Sequence, residues 1–142
     1  MKKRILVLCT GNSCRSQMAE GLLRSFGEEV EVHSAGTEPA ARVHPLAVQV
    51  MREIGVDISA GLPKSVDAFL GQSFDHLITV CDDADRNCPR FGGKVGKRSH
   101  IGFTDPARVR GTETEVLAAF RQVREEIRTK LSEYYEKEIK NP

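Results

Sequence analysis

Cys9 heads the octapeptide Cys9-Thr10-Gly11-Asn12-Ser13-Cys14-Arg15-Ser16, with the apolar run Ile5-Leu6-Val7-Leu8 before it and a stretch of helical periodicity after it. A buried strand that delivers a thiol into a tight loop opening a helix brings the sulfur to a point where several backbone N–H groups and the positive helix end converge. That field is expected to lower the thiol pKa. Ser16 is placed to donate to the resulting thiolate and favour it further. Arg15 offers a planar fork that can bind two oxygens of a tetrahedral oxyanion such as phosphate or arsenate. Gly11 and Asn12 are residue types that tolerate the left-handed backbone of such a cradle. Thr10, Gly11, Asn12, Ser13, Cys14, Arg15 and Ser16 thus read as an oxyanion-binding loop around a Cys9 nucleophile. A plain glycine loop with Cys9 as buried filler would not need strand, Cys, Gly, Arg and hydroxyl in this order.

Two other segments carry chemical side chains. Asp105 precedes Pro106, which biases it away from helix. A carboxyl held there can protonate the departing oxygen when a thiolate displaces it, or it can simply cap the turn at Ala107-Arg108. Cys81-Asp82-Asp83-Ala84-Asp85-Arg86-Asn87-Cys88-Pro89 places two thiols around polar residues. They either close a small reversible disulfide ring or are two unrelated thiols in a loop. Cys14 reads as packing filler toward the following helix. Zinc is a poor fit, because C-x4-C with C-x6-C is not a usual zinc spacing and Arg15 would oppose a cation.

These residues need a scaffold that gathers distant positions. Residues 4–8 read as a central buried strand. Residues 16–26 follow as a helix, with Met18, Ala19, Leu22, Leu23 and Phe26 on one face and Gly27 as its stop. Val30–His33 is a second strand, and a helix opens at His44-Pro45 and runs to Ile54. A short helix begins near Val66, and residues 74–80 form a third strand running into Cys81. Residues 82–97 lack amphipathic period and read as a mobile loop, followed by a fourth strand over 99–103. From Thr112 to about Ile139 the pattern is one amphipathic helix, with Val116, Leu117, Phe120, Val123, Ile127 and Leu131 inward. Alternating strands and helices predict an α/β fold, a single domain over 1–142 with a four-stranded parallel sheet flanked by helices on both faces. Cys9, Ser34, Cys81 and Asp105 each fall just past a predicted strand, at the sheet edge where sites of this architecture collect.

Composition narrows the partners. A chain of 142 residues is one domain with a core of its own. Lys and Arg number 21 against 20 Asp and Glu, a net charge of +1 that makes no case for nucleic acid or an anionic membrane surface. The apolar stretch after Met1-Lys2-Lys3-Arg4 is too short for a signal peptide, and no run reaches the roughly 20 apolar residues of a membrane span. A cytoplasmic location, reduced thiols and a monomer are expected.

The loop 9–16 with Gln17-Met18-Ala19-Glu20-Gly21, together with Ser34-Ala35-Gly36-Thr37, the Cys81–Pro89 segment and Gly102-Phe103-Thr104-Asp105-Pro106-Ala107-Arg108, resembles the thioredoxin-coupled arsenate reductases, whose fold is that of the low-molecular-weight protein tyrosine phosphatases. The resemblance runs from Ile5 to about Leu131. It implies that Cys9 attacks arsenate to form a covalent adduct, with Arg15 and the loop amides holding the oxygens and Asp105 acting as acid. Cys81 would then attack Cys9, releasing arsenite and leaving a Cys9–Cys81 disulfide. Cys88 would move it to Cys81–Cys88 on the redox loop 81–97, where reduced thioredoxin regenerates the thiols. No flavin, haem or nicotinamide cofactor is implied. Some members bind potassium through groups matching Asn12, Glu20 and Ser34 with a later Thr and Asp. Those last two positions are Leu62 and Lys64 here, so either the Lys64 ammonium stands in for the cation or Ser65 and Asp67 supply ligands; no metal is expected. The rival is a low-molecular-weight phosphatase using Cys9, Arg15 and Asp105 alone, although such phosphatases often carry tyrosine where Ala107 stands. A non-enzymatic oxyanion-binding or redox-sensing module would keep the loop without needing Asp105.

Overall fold

In the computed structural model, which describes residues 2–142, β1 (Lys3–Cys9), β2 (Val30–Gly36), β3 (Phe74–Thr79) and β4 (Val95–His100) form one parallel sheet in the order β2-β1-β3-β4. Successive strand residues point to opposite faces, and Ile5, Leu6, Val7 and Leu8 are all fully buried. Both faces of the sheet are therefore covered, which is why β1 reads as an unbroken apolar run. The chain leaves β1 toward β2 on one side and returns to β3 on the other. This reversal of strand order opens a crevice between the carboxyl ends of β1 and β3, where Cys9 ends one strand and Cys81 follows the other.

The helices are α1 (Arg15–Phe26), α2 (Pro45–Arg52), α3 (Asp82–Arg86) and α4 (Glu113–Tyr134). Met18, Ala19, Leu22 and Leu23 form the buried stripe of α1. α4 starts with a reciprocal cap in which Thr112 and Glu115 satisfy each other's backbone N–H groups. Phe120, Val123, Ile127 and Leu131 then recur at helical spacing and are buried, packing α4 against α1 and α2. Residues Tyr135–Lys140 continue as a π-helical turn, so the expected long helix is present with a widened last segment.

Three expectations need correction. β2 extends to Gly36, because Ser34, Ala35 and Gly36 pair with Val7, Leu8 and Cys9; Ser34 thus lies inside the strand. The segment 82–97 is not irregular throughout. It starts with α3, whose first turn holds Asp82, Asp83 and Asp85, and residues 95–97 already belong to β4. The fourth strand spans 95–100, not 99–103. As an edge strand with Gly96, Lys97 and Arg98 exposed, β4 carries no apolar run to reveal it.

Candidate active site

The Cys9 loop is fixed by hydrogen bonds that converge from four directions. Cys9 itself is 2 % exposed. Its sulfur accepts the Asn12 N–H at 3.1 Å and lies 2.7 Å from Ser16 Oγ. Asn12 has φ 50, the only positive φ of a non-glycine residue among the described residues. A short amide side chain tolerates that conformation best. The side chain is fully buried and fully used. Its Nδ2 donates to Ser16 Oγ at 2.7 Å and Ser34 Oγ at 2.9 Å, while its Oδ1 accepts from Gln17 Nε2 at 3.2 Å and Lys64 N at 2.9 Å. Ser34 Oγ in turn donates to Glu20 Oε1 at 2.8 Å. β2 must come close for this, and a Cβ at Gly36 would overlap the Thr10 carbonyl oxygen and crowd Asn12 N.

Burial pushes the Cys9 thiol above its ordinary pKa, and the nearby Cys81 adds to the rise. Hydrogen bonds from the Ser16 side chain and from the Ser16 and Asn12 backbone pull the other way without overcoming it. The lowering expected from the sequence is therefore not found. The donors are in place, but the sulfur lies too deep for them to win. Cys14 is pushed up to about 12, chiefly by burial and then by the Asp105 charge. Its side chain makes no capping bond to α1, in keeping with a packing role. Ser13 is turned out of the cradle, since its Oγ donates to Arg42 O at 2.8 Å.

Above the loop lies an open cleft of about 940 Å³, with Thr10, Gly11, Arg15, Cys81, Asp105 and Arg108 on its walls. Arg15 donates through Nη1 to Phe103 O at 3.0 Å, and its Nη2 is 3.6 Å from Asp105 Oδ2. Asp105 also accepts the Ala107 N–H at 3.0 Å and so caps the turn Pro106–Arg108. The capping reading of Asp105 is thus observed, with one oxygen on the turn and the other facing the guanidinium. Cys9, Asn12 and Ser16 are buried and are not among the residues on the cleft walls, to which the loop contributes the neighbouring Thr10, Gly11 and Arg15.

Cys81 is 4 % exposed and caps α3, its sulfur accepting the Ala84 N–H at 3.4 Å. Thr10 Oγ1 lies 3.4 Å from the same sulfur and donates to Asp83 Oδ2 at 3.0 Å. One hydroxyl thus ties the Cys9 loop to the start of α3. Cys88 is half-buried just past α3, and all four cysteines are free thiols.

Sequence reasoning missed the side chains that hold α3. His100 Nε2 is 3.0 Å from Asp82 Oδ1, and its Nδ1 is 2.8 Å from Thr79 Oγ1. Thr79 donates to Asp85 Oδ1 at 3.0 Å. Three aspartates directly after a strand are an available helix-start signal. His100, in a polar stretch, gives none.

The oxygens that would suit a potassium ion are engaged by protein groups instead. Lys64 Nζ lies 3.9 Å from Glu20 Oε1 and donates to Leu62 O at 3.0 Å, and Arg24 pairs with the other Glu20 oxygen at 3.1 Å. With Asn12 Oδ1 and Ser34 Oγ committed as above, this pocket fits a resident cationic side chain better than a bound cation. Among the described residues no group of three His, Cys, Asp or Glu side chains is placed to hold a metal.

Comparison with known proteins agrees with this geometry. The chain is 47 % identical over 135 residues to an arsenate reductase of Bacillus subtilis, covering 94 % of this chain and 96 % of that one. It is also 47 % identical over 136 residues to an arsenate reductase of Bacillus licheniformis, covering 95 % and 96 %. A solved arsenate reductase in the phosphate-binding state superposes with a TM-score of 0.80 at 30 % identity, covering 95 % of this chain and 98 % of the other. The model of the family described as low molecular weight phosphotyrosine protein phosphatase matches residues 4–142. With that match spanning strand, loop and cleft alike, the chain belongs to the low molecular weight phosphotyrosine protein phosphatase family.

Proposed function

We propose that this chain is an arsenate reductase whose three cysteines relay two electrons from thioredoxin to arsenate. The observation that carries the reading is the shared Thr10 hydroxyl, which joins the Cys81 sulfur to the loop that cradles Cys9. A phosphatase of the same fold needs Cys9, Arg15 and Asp105 but has no use for a second buried thiol at the crevice.

In the first step the Cys9 thiolate displaces an arsenate oxygen, forming a sulfur–arsenic bond. Arg15 and the loop amides hold the remaining oxygens, and Asp105 protonates the departing hydroxyl so that it leaves as water. The Cys81 thiolate then attacks the Cys9 sulfur. A Cys9–Cys81 bond forms, the sulfur–arsenic bond breaks, and its electron pair stays on arsenic, which departs as arsenite. Cys88 next attacks Cys81, giving Cys81–Cys88 and returning Cys9 as a thiolate. α3 lies between the two cysteines in the chain, and in this step it unwinds and carries the disulfide outward to the thioredoxin dithiol. The chain works as a cytoplasmic monomer, where thiols stay reduced.

Steady turnover of arsenate with thioredoxin and its reductase, and none with glutathione and glutaredoxin, is the expected result. Hydrolysis of an aryl phosphate without any arsenate-dependent consumption of reductant would instead establish the phosphatase reading.

A further inference from the structure

Side chains alternate along β4, so Arg98 and His100 share one face of this edge strand. That face meets the redox segment at both ends. His100 reaches Asp82 at the start of α3, and Arg98 Nη2 reaches Cys88 Sγ at 3.0 Å past its end. Among the described residues the Arg98 guanidinium has no carboxylate within salt-bridge distance, and the Cys88 sulfur is its one side-chain partner. Cys88, Arg98, Leu77, Thr79, Asp85 and His100 line a shared recess beside the sheet. Arginine chains on an edge strand ordinarily extend into water or pair with acids, and aspartates stand close by on α3. This one is turned to a thiol.

We propose that Arg98 is a catalytic residue of the last internal sulfur step, in which Cys88 takes over the disulfide from Cys9. The inference rests on the relay proposed above. Only a thiolate attacks a disulfide, so the Cys88 sulfur starts this step with a full negative charge. A guanidinium N–H in contact stabilises that charge by a charge-assisted hydrogen bond. As the Cys81–Cys88 bond forms, the Cys9–Cys81 bond breaks and its electron pair goes to the Cys9 sulfur, back within the cradle of Asn12 and Ser16. The negative charge thus passes from a sulfur held by Arg98 to one held by the loop, with no net oxidation. Arg98 is anchored only at its backbone in β4, and its long arm can follow Cys88 when α3 unwinds.

The test is a single-turnover quench. Reduced protein is mixed with arsenate in the absence of thioredoxin, stopped with an alkylating agent at set times, and mapped for Cys9–Cys81 and Cys81–Cys88 peptides. For Arg98→Met, arsenite release is expected at the wild-type rate, while Cys9–Cys81 accumulates and converts to Cys81–Cys88 roughly tenfold more slowly, as loss of one charge-assisted bond implies. Arg98→Lys should recover most of the lost rate, which a merely structural role for the arginine shape would not permit. Arg98→Gln serves as the second neutral variant and should behave like Arg98→Met. Conversion in the neutral variants as fast as wild type or faster, or a lysine variant no better than methionine, overturns the proposal. If wild-type protein itself forms no Cys9–Cys81 linkage, the relay fails, and the role of Arg98 falls with it.

Discussion

The two cysteine regions of this molecule are built in opposite ways. Around Cys9, a buried asparagine with four side-chain hydrogen bonds, two serines, a glutamine and the neighbouring strand fix one sulfur in place. Around Cys81 and Cys88, a five-residue helix is held by polar side chains from three elements, Thr10 of the Cys9 loop, Thr79 of β3 and His100 of the edge strand, while Arg98 of that strand reaches Cys88 just past it. Fully satisfied buried networks are rigid, whereas short exposed elements held by surface polar contacts open at little cost. The contrast suits the proposed relay, in which a nucleophile must meet a small oxyanion in one geometry and a disulfide carrier must move.

Variants on the two sides should separate these properties. Cys9→Ser is expected to abolish arsenate reduction and adduct formation while the fold remains, because serine keeps the shape but its hydroxyl is a far weaker acid and nucleophile than a thiol and cannot form a disulfide; activity assays with a circular dichroism control check this. Arg15→Lys should lower kcat/KM for arsenate by on the order of 10²–10³-fold, since an ammonium cannot reproduce the two-pronged oxygen contact. Smaller effects appear in stability. Asn12→Ala leaves several buried groups unpaired and should cost about 3 kcal/mol in urea unfolding, whereas His100→Ala, on the exposed side, should cost about 1 kcal/mol or less. Equal losses would erase the distinction between a rigid and a yielding region.

The pH dependence gives the finest discrimination. The folded-state pKa of Cys9 is raised and that of Cys14 lies at about 12, so the folded chain keeps protons that the unfolded chain releases. Their contribution to stability is present below the unfolded thiol value of about 8.5 and is lost as pH rises through it toward the folded values. The urea midpoint should fall between pH 8 and pH 10, with Cys14→Ala removing part of the fall. Alkylation of Cys9 should accelerate with pH over the same interval, and Cys14 should stay unlabelled.

Most of the site was legible because its parts are local. Strand, loop and helix are consecutive in residues 4–26, and each carries its own signal: an apolar run, residues that accept positive φ, an amphipathic stripe. Asp105 was recognisable through Pro106, and its double use as cap and cleft wall follows from having two oxygens. What the sequence concealed depends on depth and on edges. The rise in the Cys9 pKa comes from burial by residues distant in the chain, which a count of nearby donors does not register. β4 hid because an edge strand exposed on one side needs no apolar run. His100 and Arg98 gain meaning only when β4 is laid beside β3, in the register of Leu77 with Arg98 and Thr79 with His100, from which they reach Asp82 and Cys88.

The relay is tested most directly by mapping the disulfides formed when arsenate is added without thioredoxin. Wild-type protein should carry Cys81–Cys88. Cys88→Ser should release one arsenite per chain and stop with Cys9 linked to Cys81, its cycling with thioredoxin lost. A Cys9–Cys14 linkage in the wild-type protein, or normal thioredoxin-driven cycling of Cys88→Ser, would contradict the three-cysteine relay.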